Sequence, residues 1–112
     1  MRKILATVAV GALALAIPSS AAQSMLASWY GPGFHGRTTA NGERYDMHGP
    51  TAAHKTLPFG TKLRVCYKEC TDVRINDRGP YIGARELDLS YAAAKAIGLV
   101  KPGVANVEIT YL

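Results

Sequence analysis

Beyond residue 22 the apolar side chains fall mostly in short alternating runs, the period of half-buried β-strands. Met25–Tyr30 reads as a first strand, closed by Gly31-Pro32-Gly33, and Thr51–His54 as a short second one ahead of a turn at Leu57-Pro58-Phe59-Gly60. Lys62–Tyr67 places Leu63, Val65 and Tyr67 on one face, and Val73 and Ile75 then alternate with Asp72, Arg74 and Asn76. Counting on by two gives Asp77 core-side parity, while Gly79-Pro80 breaks the strand and leaves that carboxylate at the mouth of the fold. Glu86–Leu89 and Val104–Leu112 supply further strands, the last with Val107, Ile109 and Tyr111 on one face. One helix is predicted. Ser90 is a good N-cap for the alanine-rich run Tyr91–Ile97, and Gly98 suits its C′ stop. Two turns do not hold alone in water, so Ile97 and Leu99 must pack on the sheet. Short strands with one small helix give a small β-barrel or sandwich. Phe34 to Pro50 has no period and predicts a long loop, and long ordered loops in small domains usually carry function.

The two central runs lie close enough in the chain to form a hairpin. Setting Cys66 opposite Cys70 puts Val65 against Thr71, Arg64 against Asp72 and Leu63 against Val73. The apolar faces then match and one ion pair forms, worth about 0.2–1 kcal/mol. Lys62 faces Arg74 in this register, a like-charge conflict that Asp72 on the diagonal would soften. Facing residues have Cβ atoms near bridging distance, so in a secreted chain Cys66 and Cys70 read as a cross-strand disulfide. One C-x3-C pair supplies too few ligands for a metal site.

The N-terminus changes the picture of the whole. Arg2-Lys3 precedes an apolar run from Ile4 to Ile17, and Pro18-Ser19-Ser20-Ala21-Ala22 supplies small residues for cleavage. Residues 1–22 therefore read as a secretory signal peptide. The run falls short of the about 20 apolar residues that a membrane span requires. No cysteine near the cleavage site signals lipid attachment, so no stable membrane anchor is expected. The remainder, residues 23–112, is enough for one small domain. A chain of this size buries about 60–65% of its unfolded surface, which makes a disulfide useful. Loss of Arg2 and Lys3 lowers the formal charge from +5 to +3. That mild excess suits an acidic wall polymer or an anionic sugar and is too weak to argue for nucleic acid.

No pattern supports a serine or cysteine nucleophile, a phosphate loop or a metal site, and no cofactor is expected. The candidates are Glu43 and Asp46 in the long loop, His54 at a strand end, Asp77 at a strand tip and Asp88 ahead of the helix. Such a set suits sugar chemistry, which needs a protonated carboxylic acid for the leaving oxygen and groups that steady an oxocarbenium-like transition state. Each also has an ordinary use. Asp77 and Asp46 serve equally as turn residues, His54 as a ring that hydrogen-bonds a loop, and Asp88 as a negative charge favoured near a helix N-terminus. Trp29, Tyr30 and Phe34 offer either a sugar-stacking platform or plain core. Residue chemistry alone leaves the function open.

Several blocks are recognisable in order: Ser28-Trp29-Tyr30-Gly31, Phe34-His35-Gly36, Thr39-Ala40-Asn41-Gly42-Glu43, Thr51-Ala52-Ala53-His54-Lys55-Thr56-Leu57-Pro58, Arg74-Ile75-Asn76-Asp77-Arg78-Gly79-Pro80 and Leu87-Asp88-Leu89-Ser90. With Ala92-Ala93-Ala94-Lys95-Ala96 they make the chain, from about Ala27 to Leu112, closely resemble the rare lipoprotein A-like family. The resemblance implies a mainly β fold, a small six-stranded double-psi β-barrel with one or two short helices. It also implies a periplasmic or secreted lytic transglycosylase that cleaves peptidoglycan glycan strands without stem peptides. Carried over, Asp77 corresponds to the catalytic acid/base, His54 and Glu43 to its essential neighbours, and Asp46 to a further cleft acid. Asp88 is the rival for proton transfer. Tyr30 and Arg78 are supporting residues, Arg78 pulling the acid's pKa down while burial or Glu43 would raise it. Arg37, Arg44, Lys55 and Arg85 are candidates to meet the lactyl carboxylates of muramic acid. A monomer is expected. The family's lipobox cysteine and C-terminal peptidoglycan-binding domain have no counterpart in this sequence, and the hairpin connection bearing Cys66 and Cys70 is shorter than usual. Two other readings stand beside this one: an inverting hydrolase using Asp77 and Asp88 as a pair, and a non-catalytic wall-binding module of expansin type.

Overall fold

The computed structural model describes residues 23–112, and the predicted signal segment lies outside the described residues. Its strands are β1 (Gln23–Tyr30), β2 (Thr51–His54), β3 (Lys62–Cys66), β4 (Cys70–Asp77), β5 (Leu87–Ser90) and β6 (Ala105–Tyr111). The helix α1 (Tyr91–Ile97) lies between β5 and β6, and Pro32–Phe34 forms a 3-10 turn. The strands close into a barrel in the order β1-β5-β2-β4-β3-β6. β1 runs parallel to β5 and β2 to β4; the remaining pairs are antiparallel. Closure leaves no long unpaired edge.

The core follows from alternation. Leu63 and Val65 of β3, Val73 and Ile75 of β4, Leu87 and Leu89 of β5, and Val107 and Ile109 of β6 all point inward and are buried. The helix seals one side of the barrel with Ala93, Ala94 and Ile97, followed by fully buried Leu99. Ser90 Oγ accepts the Ala93 N–H at 3.2 Å, and Gly98 ends the helix at φ 83°, a left-handed conformation that a side chain would disfavour. The hairpin has the predicted register, with Arg64 against Asp72 and Cys66 against Cys70. Cys66 and Cys70 are disulfide-bonded.

Three expectations change. Tyr67 and Tyr111 follow the strand parity yet are exposed, because β3 stops at Cys66 and β6 ends at Tyr111, at the barrel rim. Lys62 does face Arg74, but Asp72 is taken up by Arg64 at 2.8 Å; Glu43 neutralises Arg74 instead. The third change bears on the site. Ala52 pairs with Ile75 and Ala53 with Asp77, so Asn76 is an extra residue on β4. A bulge of this kind flips the parity of the strand beyond it. Asn76 takes the buried position at 1% exposure, and Asp77 is turned out of the core row.

Candidate active site

One row of residues crosses four strands on the side turned away from the core row. Ser28 of β1 pairs with Asp88 of β5, Asp88 pairs with Ala53 of β2, and Ala53 pairs with Asp77 of β4. Neighbouring strands lie about 4.8 Å apart, so the backbones of the two aspartates stand roughly 9–10 Å apart with only a methyl group between them. Above this floor opens a cavity of about 500 Å³, walled by Trp29, Tyr30, Phe34, Ile82 and Arg85 and lined by both aspartates. Gly31 makes the wall possible: a Cβ there would meet the Trp29 ring at 2.8 Å.

The two carboxylates are held differently. Asp77 Oδ1 accepts the Ala40 N–H at 2.9 Å and its neighbour Arg78 N–H at 2.9 Å. Its Oδ2 faces the Tyr30 hydroxyl at 3.5 Å, too long for a strong hydrogen bond. Asp88 Oδ1 accepts the Ser28 hydroxyl at 2.9 Å. Burial pushes the Asp88 carboxyl above its ordinary value and Asp77 adds to this, while Ser28 and Arg85 oppose it. The Tyr30 ring stacks on Tyr45 at 4.3 Å, and burial, reinforced by Asp77, raises its phenol pKa.

Arg78 braces the site from behind. Its Nη1 donates to the carbonyls of His54 at 3.1 Å and Leu57 at 2.8 Å, and its guanidinium lies 4.0 Å over the Phe59 ring. His54 is half-buried at the end of β2 and does not line the cavity. Its Nδ1 accepts the Thr56 and Leu57 N–H groups, both at 3.1 Å, which leaves the ring proton on Nε2. Burial lowers its pKa, so the imidazole is neutral at neutral pH. His54 thus shapes the loop that Arg78 grips.

Glu43 also stands outside the cavity lining. It forms a two-pronged ion pair with Arg74 at 2.8 and 2.9 Å and accepts Asn41 Nδ2 at 2.7 Å and Asn76 Nδ2 at 3.1 Å. These bonds, Arg74 foremost, hold its carboxyl at about 2, so it is ionised and not a proton donor. Its link to the site is indirect: it secures Asn41, and the preceding Ala40 N–H holds Asp77. Asp46 is exposed and accepts the His48 N–H at 2.9 Å, closing a turn apart from the cavity. Of the sequence candidates, the structure brings Asp77, Asp88 and Tyr30 together around one space, with Arg78 at its edge.

Several contributors were not singled out by the sequence. Ser28 sits on the polar side of an ordinary strand, and Ala53 is notable only for being small. Tyr45, 2% exposed, hides in the aperiodic loop. Its hydroxyl donates to the Tyr30 carbonyl at 2.6 Å and accepts the Tyr91 N–H at 3.2 Å, tying loop, β1 and helix together. An aromatic amid glycines and charges was the available signal.

A family profile described as lytic transglycolase matches residues 22–109. Over 87 residues the chain is 58% identical to a probable endolytic peptidoglycan transglycosylase RlpA of Synechocystis, covering 75% of this chain and 27% of that protein. Over 95 residues it is 53% identical to the endolytic peptidoglycan transglycosylase RlpA of Vibrio cholerae, covering 82% of this chain and 36% of that protein. The chain therefore spans about a quarter to a third of the length of these curated relatives. Among solved structures, the Streptomyces papain inhibitor superposes with a TM-score of 0.65 at 20% identity, over 81% of this chain and 94% of that one, a likeness of fold alone. With a profile match that runs from ahead of β1 into β6 and a closed six-stranded double-psi barrel beneath it, the chain belongs to the lytic transglycolase family.

Proposed function

We propose that this domain is a lytic transglycosylase that cuts the β-1,4 bond between N-acetylmuramic acid and N-acetylglucosamine in peptidoglycan glycan strands. The observation that carries this reading is the pair Asp77 and Asp88, facing each other across Ala53 on the floor of an open, aromatic-walled cavity. An open groove suits an internal stretch of polymer, and the aromatic walls suit sugar faces.

In this mechanism Asp77 is the acid/base. Its Oδ1 is fixed by two backbone amides, and its Oδ2 transfers the proton. Protonated Oδ2 donates to the glycosidic oxygen as the C1–O4 bond breaks. The resulting carboxylate takes the proton of the muramoyl 6-hydroxyl as O6 bonds to C1. A 1,6-anhydro end forms, the acid is regenerated, and no water is consumed. Burial of Asp88 favours its protonated form relative to an exposed aspartate, beside the reacting centre. That burial also favours a second reading in which Asp88 is itself the donor.

The substrate places the domain in the cell envelope, periplasmic or secreted with residues 1–22 as its leader and acting as a monomer without cofactor. Peptide-free glycan is the preferred strand. Among the described residues no helix is long and apolar enough to cross a membrane. Mass spectrometry of digested peptide-free glycan tests the proposal. Anhydro ends support it, reducing ends point to an inverting hydrolase, and strands bound but uncut point to a wall-binding module.

A further inference from the structure

Six arginines lie among the described residues, and five of them are occupied. Arg64 pairs with Asp72 and Arg74 with Glu43. Arg44 and Arg78 donate to backbone carbonyls, and Arg37 lies over the Phe34 ring. Arg85 differs: its guanidinium has no hydrogen bond, ion pair or aromatic partner among the described residues. It is half-buried on the cavity wall and close enough to Asp88 to oppose the rise of that carboxyl's pKa without bonding to it.

The backbone beneath it is anchored on both sides. The Arg85 N–H donates to the Ile82 carbonyl at 3.2 Å, and the Arg85 carbonyl accepts Lys55 Nζ at 3.2 Å. The next residue, Glu86, exchanges two bonds with Leu26: its N–H donates to the Leu26 carbonyl at 2.8 Å, and its Oε1 accepts the Leu26 N–H at 3.0 Å. The side chain therefore springs from a fixed base into the cavity. A partly desolvated guanidinium offers a planar fork of donors matched to a carboxylate.

We propose that Arg85 reads a free carboxylate carried on the sugar next to the scissile bond, the lactyl carboxylate of a muramic residue. This assignment rests on the reading of the domain as a glycan-cleaving enzyme. Where a stem peptide converts that carboxylate to an amide, the charge and one acceptor oxygen are lost, and so is the two-pronged pair. Arg85 is then the residue through which the domain prefers peptide-free strands. It is not the acid, so its role is read in which strand is cut.

The test compares cleavage of peptide-free glycan with the same glycan after chemical amidation of its lactyl carboxylates, using the described domain and its Arg85→Gln and Arg85→Lys variants. The parent protein is expected to favour the free-acid strand about tenfold or more, chiefly in KM, the usual worth of a charge-assisted hydrogen bond. Arg85→Gln should abolish the preference through loss of activity on the free-acid strand, and a thermal melt matching that of the parent reports that the variant is folded. Arg85→Lys, with charge but no fork, should keep only part of the preference. A parent that yields anhydro ends from both strands equally, an Arg85→Gln protein that still discriminates, or an Arg85→Lys protein with the full preference overturns the assignment and leaves the glycan-cleaving function standing. A parent that neither binds nor cuts either strand overturns both.

Discussion

Asp77 and Asp88 share a single strand partner: Ala53 pairs with Asp77 across the parallel β2–β4 ladder and with Asp88 across the antiparallel β2–β5 ladder. Asp77 ends β4 and Asp88 is the second residue of β5, strands that never pair with each other, and the barrel order alone makes the two acids near neighbours. Asp77→Asn keeps the shape and the amide bonds of Oδ1 while removing the proton. It is expected to lower the formation of anhydro ends by about 10²–10⁴-fold, the usual worth of a general acid/base. Full activity in Asp77→Asn with loss in Asp88→Asn, by mass spectrometry of the same digest, would hand the role to Asp88.

Asp88 should also show itself in stability. A carboxyl whose folded pKa lies above its unfolded 3.8 favours the folded state when protonated. That advantage is whole below 3.8 and is lost as pH rises through the elevated folded value. Asp88→Asn, which still accepts from Ser28, is therefore expected to raise Tm at neutral pH and to give no gain in acid. Thermal melts of both proteins across pH decide this, and a lower Tm for the variant at neutral pH would contradict it.

Ala53 sets the width between the acids. Ala53→Leu forces a larger side chain into a position 4% exposed, at a cost of about 1–3 kcal/mol where the site is closely packed. The added bulk stands between the two carboxylates. Cleavage should fall far more than the melting temperature does, and a leucine variant with parental turnover would show that substrate does not reach this floor.

Glu43 separates structural support from chemistry. Its carboxyl, held at about 2 against an unfolded 4.5, stabilises the fold fully above 4.5, and that contribution is lost as pH falls toward 2. The pair is more than a third exposed, so solvent screening limits Glu43→Gln to about 1 kcal/mol or less at neutral pH. The difference from parent should vanish near pH 2. Activity should fall through kcat as the Asn41–Ala40 segment loosens its hold on Asp77, with the shape of the pH profile retained. A profile that loses one limb would mark Glu43 as a titrating participant.

The hairpin disulfide closes a very short loop, worth about 2 kcal/mol on the chain-entropy model, or roughly 10 °C in Tm for a domain of this size. Cys66→Ser with Cys70→Ser should show that loss by calorimetry and leave glycan cleavage near parental values, since neither residue lines the cavity.

Local rules made part of this structure legible. The matched faces of β3 and β4 and the two cysteines gave the hairpin register, and Ser90 with Gly98 gave the helix bounds, because each depends on residues a few positions apart. The site resisted for the opposite reason. The bulge at Asn76 is invisible in the alternation of β4, yet it decides where Asp77 points. That Glu43 meets Asp77 only indirectly, through a network with Arg74, is hidden because Arg74 lies 31 residues away. Ser28, an unremarkable strand residue, acquires meaning only once β5 is laid beside β1. Loop residues with special roles, Tyr45 above all, belong to no period that could announce them.

The Ser28–Asp88 hydrogen bond spans 60 positions of chain, and the Ala40–Asp77 bond spans 37. Contacts so distant along the polypeptide form only after the intervening loops have closed, which makes them late and slow to arrive. A nascent or partly folded molecule therefore owns neither half of the acid pair in working order. Competence and complete closure come together, so an incompletely folded molecule has no working site.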